Sequence, residues 1–161
     1  MTRTLLTRSA LVVLLTSLVV APAASARMDG TGEAARLQMV WPASGTVTAR
    51  FGEWRGSHRH AGIDIGMLRT LRLRAVTAGV VSQTGYAAGY AGYGNVVLLD
   101  LPGPYTALYA HMSNVGVHRG QHIRKGQKLG LAGCTGSCSG THLHFEVRRS
   151  GVAVNPLRFL G

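Results

Sequence analysis

The chain has 161 residues, 46% of them hydrophobic and 6% aromatic, with 17 Lys and Arg against 6 Asp and Glu for a net charge of +11. That length supplies one domain core and not two. The positive balance attracts polyanions, but no nucleic-acid-binding motif accompanies it, so the expected partners are wall polymers, lipid head groups or polysaccharides rather than nucleic acid.

Residues 1–26 read as an export signal. Arg3 and Arg8 precede the apolar run from Ala10 to Val20, and Ala24-Ser25-Ala26 is a small-residue cleavage site. The run is too short to span a bilayer comfortably. No other stretch approaches that length, so a secreted product with no membrane span after signal cleavage is expected. Without Arg3 and Arg8 the balance is 15 basic to 6 acidic residues, or +9, and if wall affinity rests on that charge, salt-sensitive binding to whole walls is expected.

Residues 27–40 are small and charged without strand alternation, and are expected to form a flexible lead-in to a domain over 41–161. In that domain short β-branched runs alternate with glycine-bearing turns, and no amphipathic helix of several turns appears. Strands are expected over Gly45 to Phe51, Ile63 to Ile65, Ala75 to Gln83, Asn95 to Leu101, Tyr105 to His111, Lys128 to Ala132 and Thr141 to Arg148. The fold class is all-β, with two packed antiparallel sheets. The segment from Gly85 to Gly94 reads as a flexible loop with exposed tyrosines, and Tyr86, Tyr90, Tyr93 and Trp54 are candidates for lining a groove.

Chemistry concentrates in histidines. In Thr141-His-Leu-His-Phe-Glu-Val, strand alternation puts His142, His144 and Glu146 on one face and Leu143, Phe145 and Val147 on a core face. The two imidazoles are separated by roughly 6.6 Å of backbone, close enough to serve one site. Upstream, His60 and Asp64 would lie roughly 13 Å apart on an extended strand, so they meet only if the chain bends, and Gly62 permits the bend. With the His-x-His strand this segment offers two imidazoles and one carboxylate, ligands zinc accepts while leaving a position for water. His111 ends an alternating strand, and spacing alone leaves its role open.

Cys134 and Cys138 flank Thr-Gly-Ser, and in an oxidising compartment pairing is the default. The alternative is a closed Cys2His2 zinc site made with His142 and His144, which needs reduced thiolates and leaves His60, Asp64 and His111 idle. His118 and His122 imitate a helical metal pair, but Gly120 lies between them and the glutamate is missing. The run Arg69, Arg72 and Arg74 reads as a solvated face.

His60-x-x-x-Asp64, Tyr-Ala-His111 and His142-x-His144, in that order on an all-β background, resemble the LytM/lysostaphin-type zinc metallo-endopeptidases that cut bacterial peptidoglycan. The likeness runs from about Trp41 to Asn155-Pro156 and includes the first strand at Val47 to Gly52, the paired turns Gly120-Gln121 and Gly126-Gln127, and the His-Leu-His-Phe-Glu strand. The resemblance implies one Zn2+ held by His60, Asp64 and His144, proton handling by His111 and His142, a supporting role for Glu146, and peptidoglycan peptides as substrate. Silent, wall-binding or hydrolase-activating members of the family tend to lose ligands or histidines, and this chain keeps all five. It departs from the family pattern at Cys138-Ser139-Gly140 and at Leu71-Arg-Leu-Arg.

Overall fold

The structure, a computed structural model, describes residues 37–161; the expected export signal and most of the lead-in lie outside the described residues. Among the described residues no helix is long and apolar enough to cross a membrane.

Among the described residues, eleven strands form two antiparallel sheets. They are β1 (Thr46–Ala49), β2 (Ile63–Gly66), β3 (Arg72–Arg74), β4 (Gly79–Tyr86), β5 (Asn95–Asp100), β6 (Tyr105–Ala110), β7 (Met112–Val115), β8 (His122–Ile123), β9 (Lys128–Ala132), β10 (Leu143–Arg149) and β11 (Val152–Val154). The larger sheet runs β1-β2-β10-β6-β5-β4-β8, and the smaller is β3-β9-β7. On one edge of β10, β2 pairs with the first half and β11 with the second. The other edge of β10 pairs with β6 from His144 to Arg149.

The core fills the space between the sheets. Leu143, Phe145 and Val147 of β10, Ile63 and Ile65 of β2, and Ala107 and Tyr109 of β6 face Leu73, Met112 and Leu129 from the smaller sheet. The alternate residues must then face the other side. That opposite side of β5 and β6 carries Val96, Leu98, Leu108 and Ala110, covered by Ala87, Tyr90 and Tyr93. The same side of β2 and β10 carries Asp64, His144 and Glu146.

Three expectations change. Leu37 and Met39, assigned to the lead-in, are buried in the core, and Met39 is tied to the C-terminus by hydrogen bonds with Phe159 and Gly161. The segment expected as a flexible tyrosine loop is the end of β4 followed by a 3-10 turn, Ala91–Tyr93, and only Tyr86 is largely exposed. β3, β7, β8 and β11 were not among the expected strands, since two to four residues are too few to display a period.

Gly62 also has a different role from the one expected. It does not occupy the positive-φ region; instead β2 crosses so close to β10 that a Cβ at residue 62 would sit 2.3 Å from the Phe145 carbonyl oxygen and 2.9 Å from Glu146 Cγ. Glycine is needed for approach, not for conformation. Gly62→Ala should lower stability by about 1–3 kcal/mol, the usual penalty of overpacking, read as a fall in Tm. An unchanged Tm would mean the two strands can separate freely.

Candidate metal centre

Register builds the site. Asp64 of β2 is the direct cross-strand partner of His144 of β10, and alternation turns both side chains away from the core. His60 comes from the hairpin loop between β1 and β2, which is closed by hydrogen bonds from Gly52 N to His60 O and from His60 N to Glu53 O, both 2.8 Å. The chain bends after His60, and the separation expected of an extended strand disappears. His60 Nε2 lies 3.1 Å from Asp64 Oδ1 and 3.0 Å from His144 Nδ1, and His144 Nδ1 lies 2.8 Å from the same carboxylate oxygen. All three residues are buried.

The other nitrogen of each ring is already committed. His60 Nδ1 donates to the Arg50 carbonyl at 2.9 Å, and His144 Nε2 donates to Glu146 Oε1 at 3.0 Å. With neutral rings, three lone pairs therefore aim at one point. Only positive charge relieves that arrangement: a proton on His144 or a metal cation. Two imidazole nitrogens and one carboxylate oxygen, each fixed by an outer acceptor or donor, are a donor set that fits zinc.

Electrostatics keep the carboxylates ionised. Burial alone raises the Asp64 pKa, but the adjacent His144, His60 and Arg55 outweigh it and hold the group well below the usual carboxylate range. Arg55 Nη2 donates to Asp64 Oδ2 at 2.6 Å, so the second oxygen is occupied and Oδ1 is left for the site. Burial depresses the His144 pKa, yet Asp64 and Glu146 on its two nitrogens reverse the sign and raise it.

Glu146 is fully buried. Burial raises its pKa, and donors from His144, Arg148 and Tyr93 overcome that to lower it. Arg148 Nε donates to Oε2 and the Tyr93 hydroxyl to Oε1, both at 2.7 Å. Burial, then the bond to Glu146, pushes the Tyr93 phenol up to about 12, so it remains a donor.

His111 and His142 stand beside this cluster with ring centroids 4.8 Å apart. His142 Nε2 is 3.8 Å from Asp64 Oδ1, and its Nδ1 donates to the Gly140 carbonyl at 2.7 Å. His111 Nδ1 donates to the Thr135 carbonyl at 2.8 Å. His111 adopts φ +59°, held there by its backbone N–H donating to the Tyr93 carbonyl at 2.9 Å. Burial lowers the His111 pKa, which favours a neutral ring.

All five residues singled out in the sequence line one open groove of about 360 Å³, with Arg55, Tyr93, Ser137 and Ser139 among its walls. Of the four aromatic lining candidates only Tyr93 is there; Trp54 is exposed and bridges to Arg59. Cys134 and Cys138 are joined in a disulfide with Cα atoms 5.5 Å apart, which removes the Cys2His2 alternative. His118 and His122 lie in and beside the paired turns, where Gln121 and Gln127 side chains accept from the N–H groups of His118 and Arg124. Arg55 was missed, because its contact depends on how the hairpin returns and no spacing rule marks it.

A two-sheet β domain with a buried His-Asp-His cluster in an open groove has the donor set of a metal-binding domain. The model of peptidase family M23 matches residues 58–156, and the chain belongs to that family. It is 38% identical over 120 residues to the murein hydrolase activator NlpD of Escherichia coli, covering 74% of this chain and 30% of NlpD. Among solved structures it is similar to a zinc-containing peptidase from Vibrio cholerae, with TM-score 0.63 and 27% identity over 73% of this chain and 37% of that one. It is also similar to the catalytic domain of the M23 protein EnpA from Enterococcus faecalis, with TM-score 0.65 and 25% identity over 75% and 95% of the two chains. The chain thus spans about a third of the length of NlpD.

The outer donors and acceptors give a direct test. Glu146→Gln keeps the shape but sets an amide against Arg148 and removes the negative charge behind His144, so zinc affinity should fall about 10–100-fold. Competition with a chromophoric chelator measures it; wild-type affinity in the variant would show that Glu146 does not orient the ring.

Proposed function

We propose that this is an exported zinc endopeptidase that hydrolyses peptide bonds in peptidoglycan cross-bridges or stem peptides, with His60, Asp64 and His144 holding the ion and His111 and His142 handling protons. The observation that carries the reading is the convergence of His60 Nε2, Asp64 Oδ1 and His144 Nδ1 beside a second histidine pair. Zinc bound there would supply Lewis acidity towards the scissile carbonyl and activate a water near neutral pH.

The remaining work falls to the protein. His111 and His142 each use Nδ1–H on a main-chain carbonyl, so each presents an Nε2 lone pair that can take a proton from the attacking water. The ring that takes it gains an Nε2–H and can then donate to the developing oxyanion or to the leaving nitrogen. With ring centroids 4.8 Å apart, a charge on His142 adds to the burial that lowers the His111 pKa. Arg55 and Asp64 form an ion pair at the groove wall. Anionic wall polymers are secondary partners, attracted by the excess of basic residues.

A second reading, a silent module that activates another wall hydrolase, is favoured by the name of the NlpD relative. Mass spectrometry of material released from purified peptidoglycan separates the two. Endopeptidase activity predicts new peptide termini that vanish with a chelator and return with zinc. His142→Ala should cut turnover about 10²–10⁴-fold with zinc retained, whereas His144→Ala should lose the metal. No products from folded, zinc-loaded protein would favour the activator, and equal metal loss in both variants would sink the assignment of roles.

A further inference from the structure

The proton-handling pair and the metal set depend on different parts of the chain. His60 and His144 direct their outer nitrogens to Arg50 and Glu146. His111 and His142 direct theirs to Thr135 and Gly140, both on the segment that joins β9 to β10. The Cys134–Cys138 disulfide lies inside that segment, its cysteines four positions apart.

The two ends of the segment are unequally held. Thr135 is locked by its side chain, which accepts from Asn95 N and donates to the Met112 carbonyl, both at 2.9 Å. Next to it, Gly136 packs so tightly that a Cβ would sit 2.4 Å from Gly94 N, and Ser137 N donates to the Gly92 carbonyl at 2.9 Å. Ser139, Gly140 and Thr141 are exposed. The ties that flank them are the disulfide, the Ser137 bond to Gly92 and a Cys138 N–H bond to the Gly136 carbonyl, 3.2 Å, on one side, and the His142 N–H bond to the Gly133 carbonyl, 3.1 Å, on the other. Removing the disulfide takes away the covalent tie nearest the Gly140 carbonyl, whereas the Thr135 carbonyl keeps the side-chain bonds of its own residue.

We propose that the Cys134–Cys138 disulfide is a redox-operated positioning element for His142, holding the Gly140 carbonyl that fixes the ring with its proton on Nδ1. Its effect on turnover rests on the endopeptidase reading; its effect on the ring does not. Cys134 is exposed and Cys138 half-buried, so a small dithiol can reach the bond. A thiolate of the dithiol attacks one sulfur and releases the other cysteine, and its second thiol then displaces the first. Two electrons and two protons pass to the cysteines, and the reagent leaves as a cyclic disulfide. So small a loop removes little chain entropy, so the fold survives reduction.

The test compares the zinc-loaded oxidised protein with the Cys134→Ser/Cys138→Ser double variant. A second comparison uses wild type reduced by a water-soluble phosphine, which becomes phosphine oxide by taking oxygen from water and does not compete for zinc as thiols do. Long-range 15N–1H NMR of the imidazoles reads the tautomers. The expected result is a single Nδ1–H form for His142 when oxidised, a mixture when the bond is absent, and an unchanged His111. Zinc stoichiometry stays the same, and kcat falls about tenfold with little change in KM, a fraction of what a placed acid–base group supplies. Thr135→Val, with the disulfide intact, should disturb His111 and not His142. A single His142 tautomer in every form overturns the proposal, as does an equal disturbance of both rings by loss of the bond. If no form cleaves peptidoglycan, the endopeptidase reading fails while the tautomer result still decides the positioning role.

Discussion

Three acceptor atoms held within 3.1 Å of one another at a buried point are the constraint around which the site is organised. Neutral imidazoles and a carboxylate repel at that range, so the arrangement persists only because each group is held from behind. Arg50 O fixes His60, Glu146 fixes His144, and Arg55 occupies the spare oxygen of Asp64. The cost of that convergence is offset by burial of apolar surface on the core side of the same strands, where Ile63, Ile65, Leu143 and Phe145 are inaccessible to solvent. One strand pair thus supplies the hydrophobic anchor and two of the three converging groups, Asp64 and His144.

Tautomer control extends the same device across the whole groove. Four histidines each spend one ring nitrogen on an oxygen and turn the other inward. Two of the inward nitrogens lie within 3.1 Å of Asp64 Oδ1 and suit a cation; the other two belong to a pair set farther back, the nearer of them, His142 Nε2, at 3.8 Å. The separation matters chemically, because groups that bind a metal strongly are poor proton carriers while they hold it. Family M23 membership fits this division, and the similarity to both activators and peptidases makes the intact pair the feature that favours an enzyme.

Legibility in the sequence followed periodicity. β10 was readable because seven residues show both its faces, and His144 and Glu146 share its polar face as expected, while His142 falls just before the strand, bridged to Gly133, and still lines the same groove. The His60–Asp64 contact was only conditionally readable, since it depends on a bend, and Gly62 proved to serve close strand approach rather than a special φ. The carbonyls of Arg50, Thr135 and Gly140 could not be found, because a main-chain acceptor leaves no letter in the sequence. Tyr93 was named only as a lining aromatic, and its bond to Glu146, like the reach of Arg55 to Asp64, depends on tertiary return of a 3-10 turn and a hairpin, so spacing carries no pattern for either contact. Leu37 and Met39 were missed because an isolated bridge to the C-terminus buries them without any strand period.

Zinc-edge anomalous diffraction from crystals of the protein grown with equimolar zinc addresses the central claim most directly. The account predicts one strong peak per chain, bonded to His60 Nε2, Asp64 Oδ1 and His144 Nδ1, with His111 and His142 outside bonding distance. A peak held instead by His142 or His111, or no peak within the groove, would contradict it.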